Sequence, residues 1–342
     1  MLRRVKIAVV VVFALAFDCR YCISETAGLD SKDANYVDLY NKYISAGRDE
    51  SANAAGNYKK AFELFVKLPP DFNGLDLNLW PQKLPEKKLN AVKDWISASK
   101  YSLEQLKIGS QKDAYWVELK NQHLHDYSSY QDLVKFRLLN LALTFRSKLN
   151  AINGDFNGSF SDLLAVFSIG NQFSSRKLLV EQLVGCALRT LAVRASFEIL
   201  SNSAVSPSDL KKLQEKFNAL SGKTQKIDFY PEKLFTLDYL QDLFTDDGKG
   251  NGFVSEKTVE NESQKQKQYL FSEFTEEEKQ KYRALKKNET FVLAEKYRNY
   301  FEQIKDKTPY QAKRENCQKI LIDMTKDNVI FSKDVTSHFI TS

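Results

Sequence analysis

Apolar residues recur near helical spacing along most of this chain. Tyr36, Val37, Leu39, Tyr40, Tyr43 and Ile44 share one face at that period, and Ala54, Tyr58, Ala61, Phe62, Leu64 and Phe65 share another, so two short helices are expected. Pro69-Pro70 ends the second, because proline removes a donor and disfavours helix in the residue before it. From Asp71 to Pro85 no period is present, and Leu75, Leu77, Leu79 and Trp80 mark a packed connector. A helix then starts near Glu86 and runs through Leu89, Val92, Trp95, Ile96, Leu103 and Leu106 to Gly109.

The signal is strongest from Tyr130 onward. Leu133, Val134, Leu138, Leu141, Ala142, Phe145, Leu149 and Ile152 form a wide stripe that stops at Asn153-Gly154-Asp155, where Asn and Gly supply a helix end. A helix over Phe160–Phe173 follows, then one over Arg176–Leu200 that is apolar on nearly every side. Its Leu179, Leu183, Ala187, Leu191 and Ala195 place it at the expected centre of the core. On that reading Leu183→Ala costs about 2–5 kcal/mol. Glu181, Arg189, Arg194 and Glu198 argue against a bilayer span there.

Ser206-Pro207-Ser208-Asp209 opens the next helix, with proline in the first turn, a Ser or Asp cap, and Leu210, Leu213, Phe217 and Leu220 on its buried side. Helices over Leu234–Phe244, about Thr275–Ile304 and Tyr310–Asp327 complete the pattern. Between them lie the glycine-rich run Asp246–Gly252 and the polar, aperiodic segment Ser255–Gln268, expected to be a mobile loop in which Leu270→Ala, at its edge, has little effect. Tandem helices with short links pack as antiparallel hairpins, so the expected fold is all-α, an irregular bundle or short α-solenoid. No fixed repeat supports a tetratricopeptide array. The expected organisation is a signal peptide over 1–24, N-terminal helices and connector over 25–128, a main helical core over 129–327 with a mobile loop at 246–268, and a tail over 328–342.

Composition agrees. Of 342 residues, 43% are hydrophobic and 27% charged, which excludes a wholly disordered chain, and only 13 Gly and 7 Pro exclude a turn-rich all-β sandwich. The net charge of +6 is spread over interspersed signs, so no nucleic-acid partner is expected. Even the basic-looking stretch Lys279–Arg314 carries Glu289, Glu295, Glu302 and Asp306 and reads as a solvated face.

The N-terminus sets the expected compartment. Arg3, Arg4 and Lys6 precede the apolar run Ile7–Phe17, the pattern of an export signal. That run is about 11 residues against roughly 20 for a membrane-spanning helix, so cleavage between Ala16 and Ser24 is expected, and membrane association only where the segment is retained. Cys19 and Cys22 form a C-x-x-C pair at the tail of this signal, without the strand–helix context or partner ligands of a redox or zinc site. Cys186 and Cys317 lie far apart, and the sequence leaves a disulfide between them open.

Few residues suggest chemistry. His123-Leu124-His125-Asp126 is the single histidine cluster and reads as a surface connector, since a zinc site needs further ligands at defined spacing. The loop from Asp247 opens like a calcium loop, but Lys249 and Thr258 stand where an oxygen ligand and a bidentate Glu are needed, so it reads as a glycine turn. Asn157-Gly158-Ser159, Asn261-Glu262-Ser263 and Asn288-Glu289-Thr290 fit the glycosylation triplet. Arg137, Arg146, Glu181, Arg189 and Arg194 sit on the most apolar helices and are expected to be paired or to reach solvent; the alternative is a ligand pocket built from Arg137, Glu181 and Arg189.

Several segments taken in order resemble a family of exported helical proteins from planctomycete-type bacteria with no established reaction. The stretches that carry it are Ala54–Leu64, Asn153–Asp155 with Asp162–Ala165, Leu178–Val184, Leu237–Gly248 and Thr308–Tyr310, spanning the chain from about Ala54 to Tyr310. The resemblance brings no functional residue, and it implies a further helix and a Tyr-Pro-containing segment beyond Ser342. The resulting expectation is an exported, non-enzymatic helical protein of the cell envelope, periplasmic or extracellular, that acts as an interaction or structural module, has a protein partner and uses no cofactor. A ligand-binding protein or enzyme using scattered charges on the central helices is the alternative.

Overall fold

The computed structural model describes residues 34–69, 76–124, 130–174, 176–244, 252–253, 275–304, 307, 311 and 315–325. The signal segment 1–24, His125 and Asp126, Asn261, Leu270, the tail 328–342 and nearly all of the loop 246–268 lie outside these residues. Within them the protein is all-α. The helices are α1 (Tyr36–Ser45), α2 (Ala55–Glu63), α3 (Glu86–Ala98), α4 (Lys100–Ser110), α5 (Tyr130–Ile152), α6 (Phe156–Gln172), α7 (Leu179–Asn202), α8 (Pro207–Ser221), α9 (Tyr230–Leu243), α10 (Glu276–Arg283), α11 (Lys287–Ile304) and α12 (Cys317–Thr325). Isolated bridges at Asn53–Ala114 and Phe253–Lys286 are the only β-type pairings among the described residues.

Local chemistry explains most helix ends. The α5 helix stops at Ile152 because Gly154 takes φ +80°, which a residue without Cβ adopts without strain. Asp155 then caps α6 by accepting from the Gly158 amide at 2.8 Å. Ser206 caps α8 in the same way, accepting from Asp209 N at 3.1 Å, with Pro207 in the first turn. The single helix expected over 86–109 is two, broken at Ser99, and the one expected over 275–304 is broken at 284–286.

The described residues divide into two compact units, those within 41–119 and 130–228, and those within 34–40, 120–124 and 229–325. In the first of these, α2, α3 and α4 share one core with α5, α6 and α7. In this first unit Phe136 of α5 is surrounded by Tyr58, Phe62, Tyr115 and Phe173, with ring centroids 4.9, 4.6, 5.6 and 4.8 Å away. Lys148, buried on α5, meets Glu198 at 2.7 Å and donates to the carbonyls of Asn78 and Leu79, tying the turn Asp76–Asn78 to the bundle. Burial pushes its pKa down, and the Glu198 carboxylate opposes that shift. In the other unit, Leu234, Leu237, Leu240 and Leu243 of α9 are buried, as are Ala294 and Tyr297 of α11. Cys186 and Cys317 are each buried within their own unit as free thiols.

The α7 helix departs from expectation. Its inward face is Glu181, Gln182, Gly185, Cys186, Leu188, Ala192, Ala195, Ser196 and Ile199. Leu183 and Leu191 are half-buried, Ala187 is exposed, and Val180 and Phe197 are 53% and 66% exposed. The central position belongs to α6, which packs on α4, α5, α7 and α8. Backbone approach selects the inward face of α7: a Cβ on Gly185 would lie 2.7 Å from the Gly170 carbonyl oxygen and 2.7 Å from Phe173 Cβ. In an exposed helix Gly→Ala is favourable by roughly 0.5–1 kcal/mol. Here Gly185→Ala is expected instead to lower stability by about 1–3 kcal/mol, as α6 and α7 are forced apart. Urea unfolding checks this against Ala187→Ser, which faces solvent and is expected to change little.

Candidate functional site

The sequence-derived site residues are not brought together. Arg137 is exposed on α5. Glu181 is buried in the first turn of α7, where its carboxylate accepts from the Leu178 amide at 3.3 Å and its charge supports Lys177. Arg189 donates to the Gly170 carbonyl at 2.8 Å and to Cys186 Sγ at 3.1 Å. Arg146 grips Asp162 through two hydrogen bonds of 2.7 and 2.9 Å, and Lys107 reaches the same carboxylate at 2.8 Å. Arg194 pairs with Glu198 at 3.2 Å. Of the five charges, then, four are engaged by the fold and Arg137 by solvent.

Lys177 was not singled out by the sequence and is 4% exposed. Its ammonium lies 4.2 Å from the centre of the Tyr115 ring and 5.5 Å from that of Phe173, a cation–π arrangement. Burial pushes its pKa down, Glu181 pushes it back up, and the Arg48 guanidinium pushes it further down. Arg176 beside it takes φ 55° and donates to the Ala46 carbonyl at 2.6 Å. Asp228 accepts from both Tyr43 Oη at 2.8 Å and Arg176 N at 3.1 Å. These contacts hold the segment between α6 and α7 against the end of α1.

Lysines converge elsewhere, on a cleft of about 320 Å³ between the end of α4, the length of α6 and the end of α8. Lys107 and Lys112 come from the α4 side, and Lys216 and Lys223 from the α8 side. Each helix leaves carbonyls without amide partners at its C-terminus, and cations are favoured there. In this cleft α6 already meets that need. Gln172 donates to the carbonyls of Gly109 and Lys112 at 3.0 and 2.6 Å, Ser168 to that of Ser110 at 2.6 Å, and Asn171 to that of Leu220 at 2.8 Å.

Gln172 is in turn fixed by the buried Tyr58 hydroxyl, which donates to its Oε1. Burial raises the Tyr58 pKa well above the usual phenol value, so this donor stays protonated. A Cβ on Gly109 would collide with the Tyr58 ring, so glycine there is what lets the ring reach Gln172.

With the carbonyls capped, the ammonium groups are differently occupied. Lys107 is taken by Asp162, and Lys112 donates to the Ser51 carbonyl at 2.8 Å. Lys223 meets Asp113 at 3.2 Å between two exposed side chains, a pair of little strength. Lys216 has no hydrogen-bond or ion-pair partner among the described residues. The cleft can therefore receive negative charge.

Sequence reasoning missed it because its lysines come from two helix ends and a loop separated by about a hundred residues. The one local signal is Lys107 in the last turn of α4, which is also what the helix dipole alone selects. Among the described residues no group of three or more His, Cys, Asp or Glu side chains is placed to hold a metal ion. His123 lies 3.7 Å from Asp238 and 3.9 Å from Asp242 of α9, which fits a docked connector. No described helix is long and apolar enough to cross a membrane. No family model, curated protein or solved structure matches the chain.

Proposed function

We propose that this chain is an exported helical protein of the cell envelope that works by binding, and that the lysine-rimmed cleft is where it holds a small anion. The observation that carries this reading is the cationic lining: Lys107 is held by Asp162 and Lys223 meets the exposed Asp113, while Lys112 holds only the Ser51 carbonyl and Lys216 has no ion-pair partner among the described residues. A partly enclosed surface strengthens the attraction of such a set for an anion, since field lines pass through low-dielectric walls. Export rests on Arg3, Arg4 and Lys6 ahead of the apolar run Ile7–Phe17.

Calorimetric titration with pyrophosphate tests the cleft. The wild-type protein is expected to bind at low salt and to weaken as salt screens the lysines. The double variant Lys216→Gln/Lys223→Gln is expected to lose about tenfold in affinity, about 1.4 kcal/mol. Lys211→Gln/Lys212→Gln removes the same charge from α8 residues outside the lining and should keep wild-type affinity. Equal affinities for the two double variants would mean that the cleft is not the site.

A further inference from the structure

Resting on that anion-binding reading, we infer that the ligand is a phosphorylated polyol about the size of a single sugar ring. Three features of the lining select it. The volume of about 320 Å³ lies at the lower end of the roughly 300–1,000 Å³ typical of small-molecule pockets, which suits one ring and not a chain of them. Between the two lysine pairs the wall is mostly neutral and polar, and two of its groups are uncommitted: the Ser161 hydroxyl and the side-chain amide of Gln111 have no hydrogen-bond partner among the described residues. Together with the free Lys216 ammonium they offer donors and acceptors to ligand hydroxyls beside a cation for a phosphate, which a lysine engages as a point charge. Leu164 and Leu220 add an apolar strip suited to the C–H face of a polyol.

The same lining disfavours nucleotides. Among the described residues no aromatic side chain lines the cleft, since Tyr58 lies behind Gln172, so a base would find no ring there to stack on. A bare anion would leave Ser161 and Gln111 unused.

The test compares glucose 6-phosphate, glycerol 3-phosphate, inorganic phosphate and glucose by calorimetry and by thermal shift, in which a ligand that binds only the folded state raises the melting temperature. At least one of the two polyol phosphates is expected to bind about tenfold or more tightly than inorganic phosphate, and glucose to bind far more weakly than either. Ser161→Ala/Gln111→Ala, both surface changes, should bring the polyol phosphates down to the affinity of inorganic phosphate and leave the latter unchanged. If neither polyol phosphate binds more tightly than inorganic phosphate, the polyol inference is overturned while the anion site stands. If no phosphate species binds and pyrophosphate also fails, the anion site falls with it.

Discussion

Replacing Phe136 by alanine is expected to lower stability by about 3–5 kcal/mol, the range for deleting a fully buried phenyl ring. Phe136 is 1% exposed, and its ring meets four others contributed by α2, the chain after α4, and the end of α6. These aromatic pairs add to area burial by edge-to-face attraction, and truncation leaves a cavity that four rigid rings cannot easily collapse into. Domains are stable by roughly 5–15 kcal/mol, so the variant should unfold at a much lower urea concentration. Val134→Ala, two residues earlier on an exposed face of α5, is the matched control and should stay within about 0.5 kcal/mol. A loss under about 1 kcal/mol at Phe136 would mean that the aromatic cluster does not organise this core.

Asp162→Ala is expected to cost about 3 kcal/mol, at the lower edge of the 3–5 kcal/mol typical for breaking a buried ion pair by removing one partner. Asp162 is 1% exposed and anchors both Arg146 and Lys107, whose side chains are 22% and 27% exposed. Those exposures set the magnitude: both cations turn partly toward water when the carboxylate is lost, which recovers some of the cost. Urea unfolding at neutral pH, repeated at high salt, separates this from a surface effect, because a buried carboxylate is poorly screened and the loss should persist. Asp162→Asn keeps the shape and removes only the charge, and it should lose nearly as much. A loss that vanishes with salt would place Asp162 among the surface pairs worth well under 1 kcal/mol.

The candidate site illustrates why charges on apolar helices are hard to interpret from sequence. Arg137, Glu181 and Arg189 attract notice because an isolated charge in an apolar stretch is costly. Each has a local remedy: solvent for Arg137, a helix-start amide for Glu181, and the Gly170 carbonyl for Arg189. The cleft lysines look ordinary in sequence, since they lie within or just after α4 and α8 among other polar residues. Their convergence depends on α4 and α8 both ending against α6, and on Gln172, Ser168 and Asn171 capping the carbonyls that the lysines would otherwise serve.

By itself the sequence determined the all-α class and the helix ends that short-range chemistry controls. Gly154 at positive φ, Asp155 and Ser206 as caps and Pro207 in a first turn act within a few residues of themselves, so their effect is present in any context. Tertiary structure alone decided which face of α7 is buried, which helix is central and where a cleft forms. An all-round apolar helix has no preferred face of its own. The choice fell to Gly170 and Gly185, whose missing Cβ atoms let two backbones approach, a property visible only once both helices are in place. The same holds for Lys216, which has no ion-pair partner among the described residues and whose place in the cleft depends on residues distant in sequence.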